Sequence, residues 1–220
     1  MTPAVSRETP PPPDVARSLF GPALDRANAY AELLASAGVE RGLIGPREVP
    51  RLWERHLLNC AVVAPAVEQD ASVVDIGSGA GLPGLVWALC RPDLQLTLVE
   101  SMLRRVRFLQ EAVTDIGVEN VTVVRARAEE LHDGRRCDAV TARAVAPLDR
   151  LAAWCLPLLR PGGTLFALKG ESAAQELEDG FATLRGLGAT TARVELYGED
   201  VLDVPTRVVV VSTGPARHPR

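Results

Sequence analysis

Aromatic residues are scarce, 4% of 220, and Lys169 is the single lysine among 24 basic side chains. Few aromatics leave little surface on which bases could stack, while a nearly all-arginine set of cations suits forked contacts to phosphate wherever it clusters. Cysteine and histidine are sparse too. Cys60, Cys90, Cys137 and Cys155 form no CxxC pair and only three histidines accompany them, which argues against a disulfide framework and against a zinc site. Excess positive charge is also missing. The net charge is −4, so a polyanion must be met by a local patch and not by the chain as a whole. No apolar run approaches the roughly 18 residues that span a bilayer. The opening MTPAVSRETPPPPD has neither the basic segment nor the apolar stretch of a secretion signal. A cytoplasmic protein is expected, with no metal and no membrane association. What is present, 47% hydrophobic and 24% charged residues, is the composition of one ordinary globular domain.

Four stretches are expected: an extended, disordered Pro-rich arm (1–18), a helical segment packed on the domain (19–66), the main α/β domain (67–213) and a flexible tail (214–220). Pro10 to Pro13 in a row set the arm. Leu24, Ala27, Ala31 and Leu34 fall at helical steps, with Gly38 as a stop. A second helix is expected to begin near Pro50 and carry Trp53, Leu57 and Cys60 on one stripe. Strands at 71–76, 94–99, 121–125, 138–141 and 164–168 then alternate with helices at 82–90, 102–116, 148–159 and 173–187, the third stopped by Pro161-Gly162-Gly163. In the second of these helices Met102, Val106, Leu109, Val113 and Ile116 form the apolar stripe. Such alternation predicts βαβ units and a mostly parallel sheet covered on both faces. The last two strands, 192–196 and 207–211, have no helix between them and are expected to pair as an antiparallel hairpin at the sheet edge.

The segment richest in chemistry is Asp75-Ile-Gly-Ser-Gly-Ala-Gly-Leu-Pro-Gly84, where the first strand turns into a helix. Glycines there allow a tight turn and a close approach of a ligand to main-chain N–H groups. Gly79, Gly81 and Gly84 alone also satisfy the dinucleotide pattern GxGxxG, which is a weak signal. Asp75 shifts the balance, because an acid directly before the glycines repels a pyrophosphate and attracts an ammonium such as that of S-adenosylmethionine. Glu100, closing the second strand, suits the two hydroxyls of a ribose. Together with the terminal hairpin, the pair favours a class I S-adenosylmethionine-dependent methyltransferase, a Rossmann-like fold. An NAD-dependent dehydrogenase and a non-catalytic binding protein remain as alternatives.

Other residues are more equivocal. Ala128 and Glu129 follow the third strand, where such folds contact adenine, yet Glu129 and Glu130 equally suit a helix start, where acids complement the dipole. The loop 141–147 after the fourth strand has no Asn-Pro-Pro-Tyr or Asp-Pro-Pro-Tyr and no cysteine, which excludes the usual clamp for exocyclic amines and attack on a pyrimidine ring. Arg143 and Lys169, at ligand-facing strand ends, are candidates for the substrate side. Arg104, Arg105 and Arg107, Arg51 and Arg55, and Arg125, Arg127, Arg135 and Arg136 are local basic clusters. Arg104 and Arg107 share a helix face and are expected to meet RNA with Arg105 turned away; the alternative is pairing with Glu111 and Asp115. His56 has no acid at helical spacing and reads as a packing residue.

In order along the chain, Arg51-Leu-Trp-Glu-Arg-His-Leu-Leu-Asn-Cys, the glycine loop from Asp75, Glu100-Ser-Met-Leu-Arg-Arg-Val-Arg-Phe-Leu, Arg127-Ala-Glu-Glu, Thr141-Ala-Arg-Ala and Ala167-Leu-Lys-Gly resemble the RsmG family, formerly glucose-inhibited division protein B. The resemblance covers roughly residues 24–211. It implies methylation of N7 of a guanine in the 530 loop of 16S rRNA, with either the free rRNA or the 30S subunit as the partner. It also implies binding of S-adenosylmethionine at Gly77, Leu82, Ala128, Glu129 and Arg143, beside the Asp75, Gly79, Gly81 and Glu100 read from the loop itself. Arg51, Arg55, Arg104, Arg107 and Lys169 are the expected RNA contacts. The family usually has Asp-Ser where this chain has Asn59-Cys60.

Overall fold

The computed structural model describes residues 9–134 and 136–215. Seven strands form one sheet in the order β3-β2-β1-β4-β5-β7-β6, with β1 at Ser72–Ile76, β2 at Gln95–Glu100, β3 at Val121–Arg125, β4 at Cys137–Arg143, β5 at Leu159–Lys169, β6 at Ala189–Tyr197 and β7 at Thr206–Thr213. The first five are parallel and β7 is antiparallel to both β5 and β6. The fold is therefore the expected class I methyltransferase arrangement, with β7 slotted inside the edge strand β6. The chain moves outward from β1 through β2 to β3, then returns to the other side of β1 for β4. At such a reversal the connections diverge, and a crevice opens at the carboxyl ends of β1 and β4.

Period-2 alternation gives the sheet its two covers. Val73, Leu96, Leu98, Ala139, Phe166 and Val210 face one core, and Val74, Val99, Val140, Leu165, Ala167 and Val209 face the other. The first core is closed by α1 (Asp14–Phe20), α2 (Leu24–Leu33), the short α3 (Asn59–Ala61), α4 (Gly84–Cys90) and α5 (Leu103–Asp115). The second is closed by α6 (Leu148–Cys155) and α7 (Ala173–Gly186). Trp87 of α4 sits edge-to-face on Phe166 at 6.0 Å and donates its indole N–H to the Cys60 carbonyl at 2.9 Å. That bond ties the N-terminal helices to the sheet. Among the described residues no helix is long and apolar enough to cross a membrane.

Several local expectations change. The arm expected through residue 18 ends at Asp14, where α1 begins, because Ala16 and Phe20 are buried against the domain; residues 1–8 and 216–220, the first part of the arm and most of the tail, lie outside the described residues. The helix expected to stop at Gly38 continues past it. Gly38 packs beside Leu34 and Ile44, its carbonyl accepts the N–H groups of Leu43 and Ile44, and Gly42, at φ 66°, supplies the left-handed turn. The helix after Pro50 is a 3-10 stretch, Pro46–Arg51, followed by π-helix over Leu52–Leu58, and its stripe Trp53, Leu57 and Cys60 is buried as expected. Met102 precedes α5 and is exposed, leaving Phe108 to join the stripe inside. Pro161-Gly162-Gly163 does not end a helix: the helix gives out by Leu158, and these residues lie within β5, opposite a shift of register in β4.

Candidate functional site

The crevice at the switch point is braced from behind by the chain's own carboxylates. Gly77 and Ser78 donate their N–H groups to the Val99 carbonyl at 2.9 and 3.1 Å, which pins the turn leaving β1 to the end of β2. Gly77, Gly79 and Gly81 all have positive φ, at 69°, 59° and 99°, a region that L side chains adopt only at a cost. A Cβ on Gly79 would find no atom nearer than 3.7 Å, so that side of the loop is open. Glu100 reaches across at only 4% exposure, Oε2 accepting from the Gly79 N–H at 3.1 Å and Oε1 from the Met102 N–H at 2.9 Å.

Two expectations about the loop are corrected. Asp75 is fully buried. Its Oδ2 accepts the first N–H of α4, from Gly84, at 3.1 Å, and its Oδ1 has no partner, so it braces the loop from inside and does not line the cavity for an ammonium. Burial pushes its carboxyl up to about 7, against the bond from Gly84. Gly81 faces inward as well. A Cβ there would lie 2.5 Å from a Leu85 methyl and 2.8 Å from the Tyr30 hydroxyl, which itself donates to the Ala80 carbonyl at 2.7 Å. The packing of Leu85 and Tyr30 leaves no room there for any residue but glycine. Tyr30 gave no sign of its role in the sequence; it is one tyrosine on a helix fifty residues away from the carbonyl it clamps.

Two cavities share Gly77, Glu100, Ser101 and Val145. One, of about 320 Å³, is walled by Ile76, Val99, Ala128, Glu129 and Trp154. The other, of about 560 Å³, takes in Gly79, Leu82, His56, Arg105 and Arg143. Gly77, Gly79, Leu82, Glu100, Ala128, Glu129 and Arg143 are thus brought together, while Asp75 and Gly81 stand behind them. Arg105, expected to point away, is in the site: its Nη1 lies 3.5 Å from Glu100 Oε2 and its Nε is buried without a partner. A broad cleft of about 1150 Å³ adjoins the second cavity through Arg143, Ala144 and Val145, and its lining is mixed in charge, with Arg51, Arg55, Lys169 and Arg207 beside Glu54, Glu171, Glu176 and Asp203.

Arg143 hands its guanidinium to the N-terminal helices, donating through Nη2 to the Arg55 carbonyl at 2.9 Å and to His56 Nδ1 at 2.8 Å, and through Nη1 to Cys60 Sγ at 3.4 Å. His56 Nε2 is 3.1 Å from Glu48 Oε2. The acid eight residues back, two turns away on a regular helix and brought near by the 3-10 stretch before it, is the neighbour missed in the sequence. Burial and the Arg143 charge, opposed by Glu48, push the His56 imidazole down to about 4.

Lys169 departs from expectation. Only 6% of its side chain is exposed, and its ammonium is held by the Ala146 carbonyl at 2.6 Å and Glu176 Oε2 at 2.7 Å. A lysine so placed has given its charge to Glu176 and fixes the loop after β4; it is not a free phosphate contact. Arg104 and Arg107 are exposed and have no ion-pair partner among the described residues. Their alternative partner Glu111 is taken by Arg41 at 2.5 Å. Arg135 of the remaining basic cluster lies outside the described residues.

A family model for rRNA small subunit methyltransferase G, also called GidB, matches residues 23–200. The chain belongs to that family. Curated relatives named ribosomal RNA small subunit methyltransferase G include one from Mycolicibacterium gilvum, 53% identical over 218 residues and covering 97% of this chain and 96% of its own. Another, from Streptomyces avermitilis, is 56% identical over 209 residues, covering 94% and 87%. A solved SAM-dependent O-methyltransferase from Thermotoga maritima superposes with a TM-score of 0.57 at 14% identity, over 78% of this chain and 72% of that one, a likeness of fold. As a member of the methyltransferase G family, the chain carries Asn59-Cys60 in a structural setting: Asn59 Oδ1 accepts from the Thr206 hydroxyl at 2.7 Å, and Cys60 is buried under Arg143.

Proposed function

We propose that this chain transfers a methyl group from S-adenosylmethionine to N7 of a guanine in the 530 loop of 16S rRNA, nucleotide 527 in standard rRNA numbering, acting on the 30S subunit in the cytoplasm. The observation that carries the reading is the pair formed by Gly79 and Glu100: an open backbone turn facing a carboxylate, beside one cavity with apolar walls and another that runs on into a broad cleft lined by arginines and carboxylates.

The residues present fit the cofactor at most points. Glu100 offers two carboxylate oxygens to a ribose, and Gly79, lacking a Cβ, leaves room for its approach. The wall made by Ile76, Val99, Ala128 and Trp154 suits a flat aromatic ring. Asp75 supports the loop and leaves the ammonium to other groups. When bound, the cofactor supplies a sulfonium methyl group open to attack by a lone pair.

Guanine N7 carries an in-plane lone pair and no proton, so it needs no general base. The site agrees with a reaction that asks for none. His56 has both ring nitrogens engaged, and Cys60 is buried with its thiol pushed up by that burial. What the protein contributes is position, which can supply several kcal/mol. N7 is out of reach in the deep groove of an A-form helix, so the guanine must be splayed into the cleft, whose rim carries Arg51, Arg55 and Arg207. Mass mapping of 16S rRNA from cells with and without this protein tests the reading: one 7-methylguanine in the 530 loop is expected to vanish. An unchanged 530 loop would overturn it.

A further inference from the structure

The side chains around Arg143 fix more than its place. A guanidinium can only donate hydrogen bonds, so His56 Nδ1, 2.8 Å from Arg143 Nη2, must be bare and accept. The one ring proton of a neutral imidazole then sits on Nε2, which faces Glu48 Oε2 at 3.1 Å and donates to it. The chain Glu48 to His56 to Arg143 has a single consistent polarity. It links a 3-10 turn, the π-helical stretch and the end of β4, and it ends where the cofactor-side cavity meets the broad cleft.

We propose that His56, oriented by Glu48, is a positioning residue that holds the Arg143 guanidinium at the junction of cofactor cavity and cleft. Protonation of His56 would replace an acceptor by a donor facing a cation, and so release Arg143. The charged groups facing His56 are Glu48 from the preceding turn, Arg143 from β4 and Arg55 on its own stretch. Burial and the two arginines disfavour the imidazolium and Glu48 favours it, so the device stays closed until well below the ordinary histidine range. Arg143 retains N–H donors beyond those spent on His56, Arg55 and Cys60, and these are available to a molecule bound at the junction. The π-helical winding of Leu52–Leu58 belongs to the same picture, since such turns gather at functional places.

That this junction serves cofactor and guanine rests on the function proposed above, so the test has two arms. In the first, nitrogen NMR on the full chain without cofactor reads the His56 tautomer. The proton is expected on Nε2, with titration well below pH 6.5, and Arg143→Ala should move the titration upward. A proton on Nδ1, or titration near 6.5 in the parent, would overturn the proposal whatever the protein methylates. In the second arm, His56→Ala is expected to lower methyl transfer to 30S subunits by roughly ten- to a hundred-fold, the scale of a lost bond to a charged group. His56→Asn, whose amide oxygen stands where Nδ1 stood, should recover most of it. The acid limb of the parent's pH–rate profile should also disappear in His56→Asn. Equal loss in both variants, tracking a lowered melting temperature, would reduce His56 to packing and sink the idea. A parent that shows the expected tautomer but fails to bind S-adenosylmethionine would leave the relay standing and overturn the function instead.

Discussion

The two halves of the crevice are built in opposite ways. On the β1–β2 side the bonds that shape the crevice run from backbone N–H groups to the carboxylates of Asp75 and Glu100, with Arg105 beside Glu100, all within the stretch from Asp75 to Arg105. On the β4–β5 side they join side chains from separate parts of the chain: Glu48 with His56 and Arg143, Lys169 with Glu176, and Asn59 with Thr206. Main-chain sites are specified by what glycine permits, so a change there acts through sterics. Side-chain sites are specified by partners, so a change there acts through protons and charges.

The sharpest break should come on the first side. Gly81→Val places methyl groups onto Leu85 and the Tyr30 hydroxyl at a φ of 99°, and should cost several kcal/mol or prevent folding. Gly79→Ala, with open space around its Cβ, should cost only the roughly 1 to 2 kcal/mol of a left-handed alanine. Chemical denaturation of the two separates packing from backbone strain; equal losses would contradict the inward and outward assignment.

Next in size, Glu100→Ala strands the N–H groups of Gly79 and Met102 and should weaken S-adenosylmethionine by roughly 1 to 3 kcal/mol in calorimetry. Arg105→Ala should weaken it too, by less, since the 3.5 Å contact is long. Arg105 is therefore no neutral control for RNA binding.

Opposite pH slopes should distinguish the halves. Asp75, raised to about 7 from 3.8, binds a proton more tightly in the folded chain, so its contribution is fully present below 3.8 and is lost as pH rises toward 7. His56, lowered to about 4 from 6.5, does the reverse: its contribution is present above 6.5 and is lost as pH falls toward 4. The two offset each other between about 4 and 6.5 in the parent. Unfolding free energies of Asp75→Asn should rise with pH across that window, and those of His56→Asn should fall; parallel slopes in the two variants would break the comparison.

The smallest effects belong to the exposed arginines. Arg104→Ala and Arg107→Ala should spare cofactor binding and flatten the salt dependence of 30S binding by about one unit each. If neither changes the slope, the RNA surface lies around Arg51, Arg55 and Arg207 at the cleft.

The same contrast explains what could be read in advance. The sheet, its terminal hairpin and the Gly79 turn facing Glu100 follow from local patterns: period-2 strands, glycines at a strand end, an acid closing the next strand; Gly77 and Leu82 at the cavity were reached only through the family resemblance. Asp75 was legible as part of the site but not in its role, because burial behind the turn depends on Leu98 and α4 packing over it. Lys169 was legible as unusual but not as a brace, because Glu176 and Ala146 come to it only through the fold. The Tyr30 clamp and the Glu48–His56–Arg143 chain have no local signature at all. The π-helical winding after Leu52 shares the apolar stripe of an α-helix and was hidden by it.

The central claim is methyl transfer from S-adenosylmethionine to one guanine N7. Purified protein, 30S subunits and cofactor labelled in its methyl group, followed by strand cleavage chemistry selective for 7-methylguanine, test it in one experiment. Label should enter 16S rRNA with a single cleavage in the 530 loop, reduced in parallel for Glu100→Ala. Label at another base or atom, or none with subunits that lack the modification, would contradict the account.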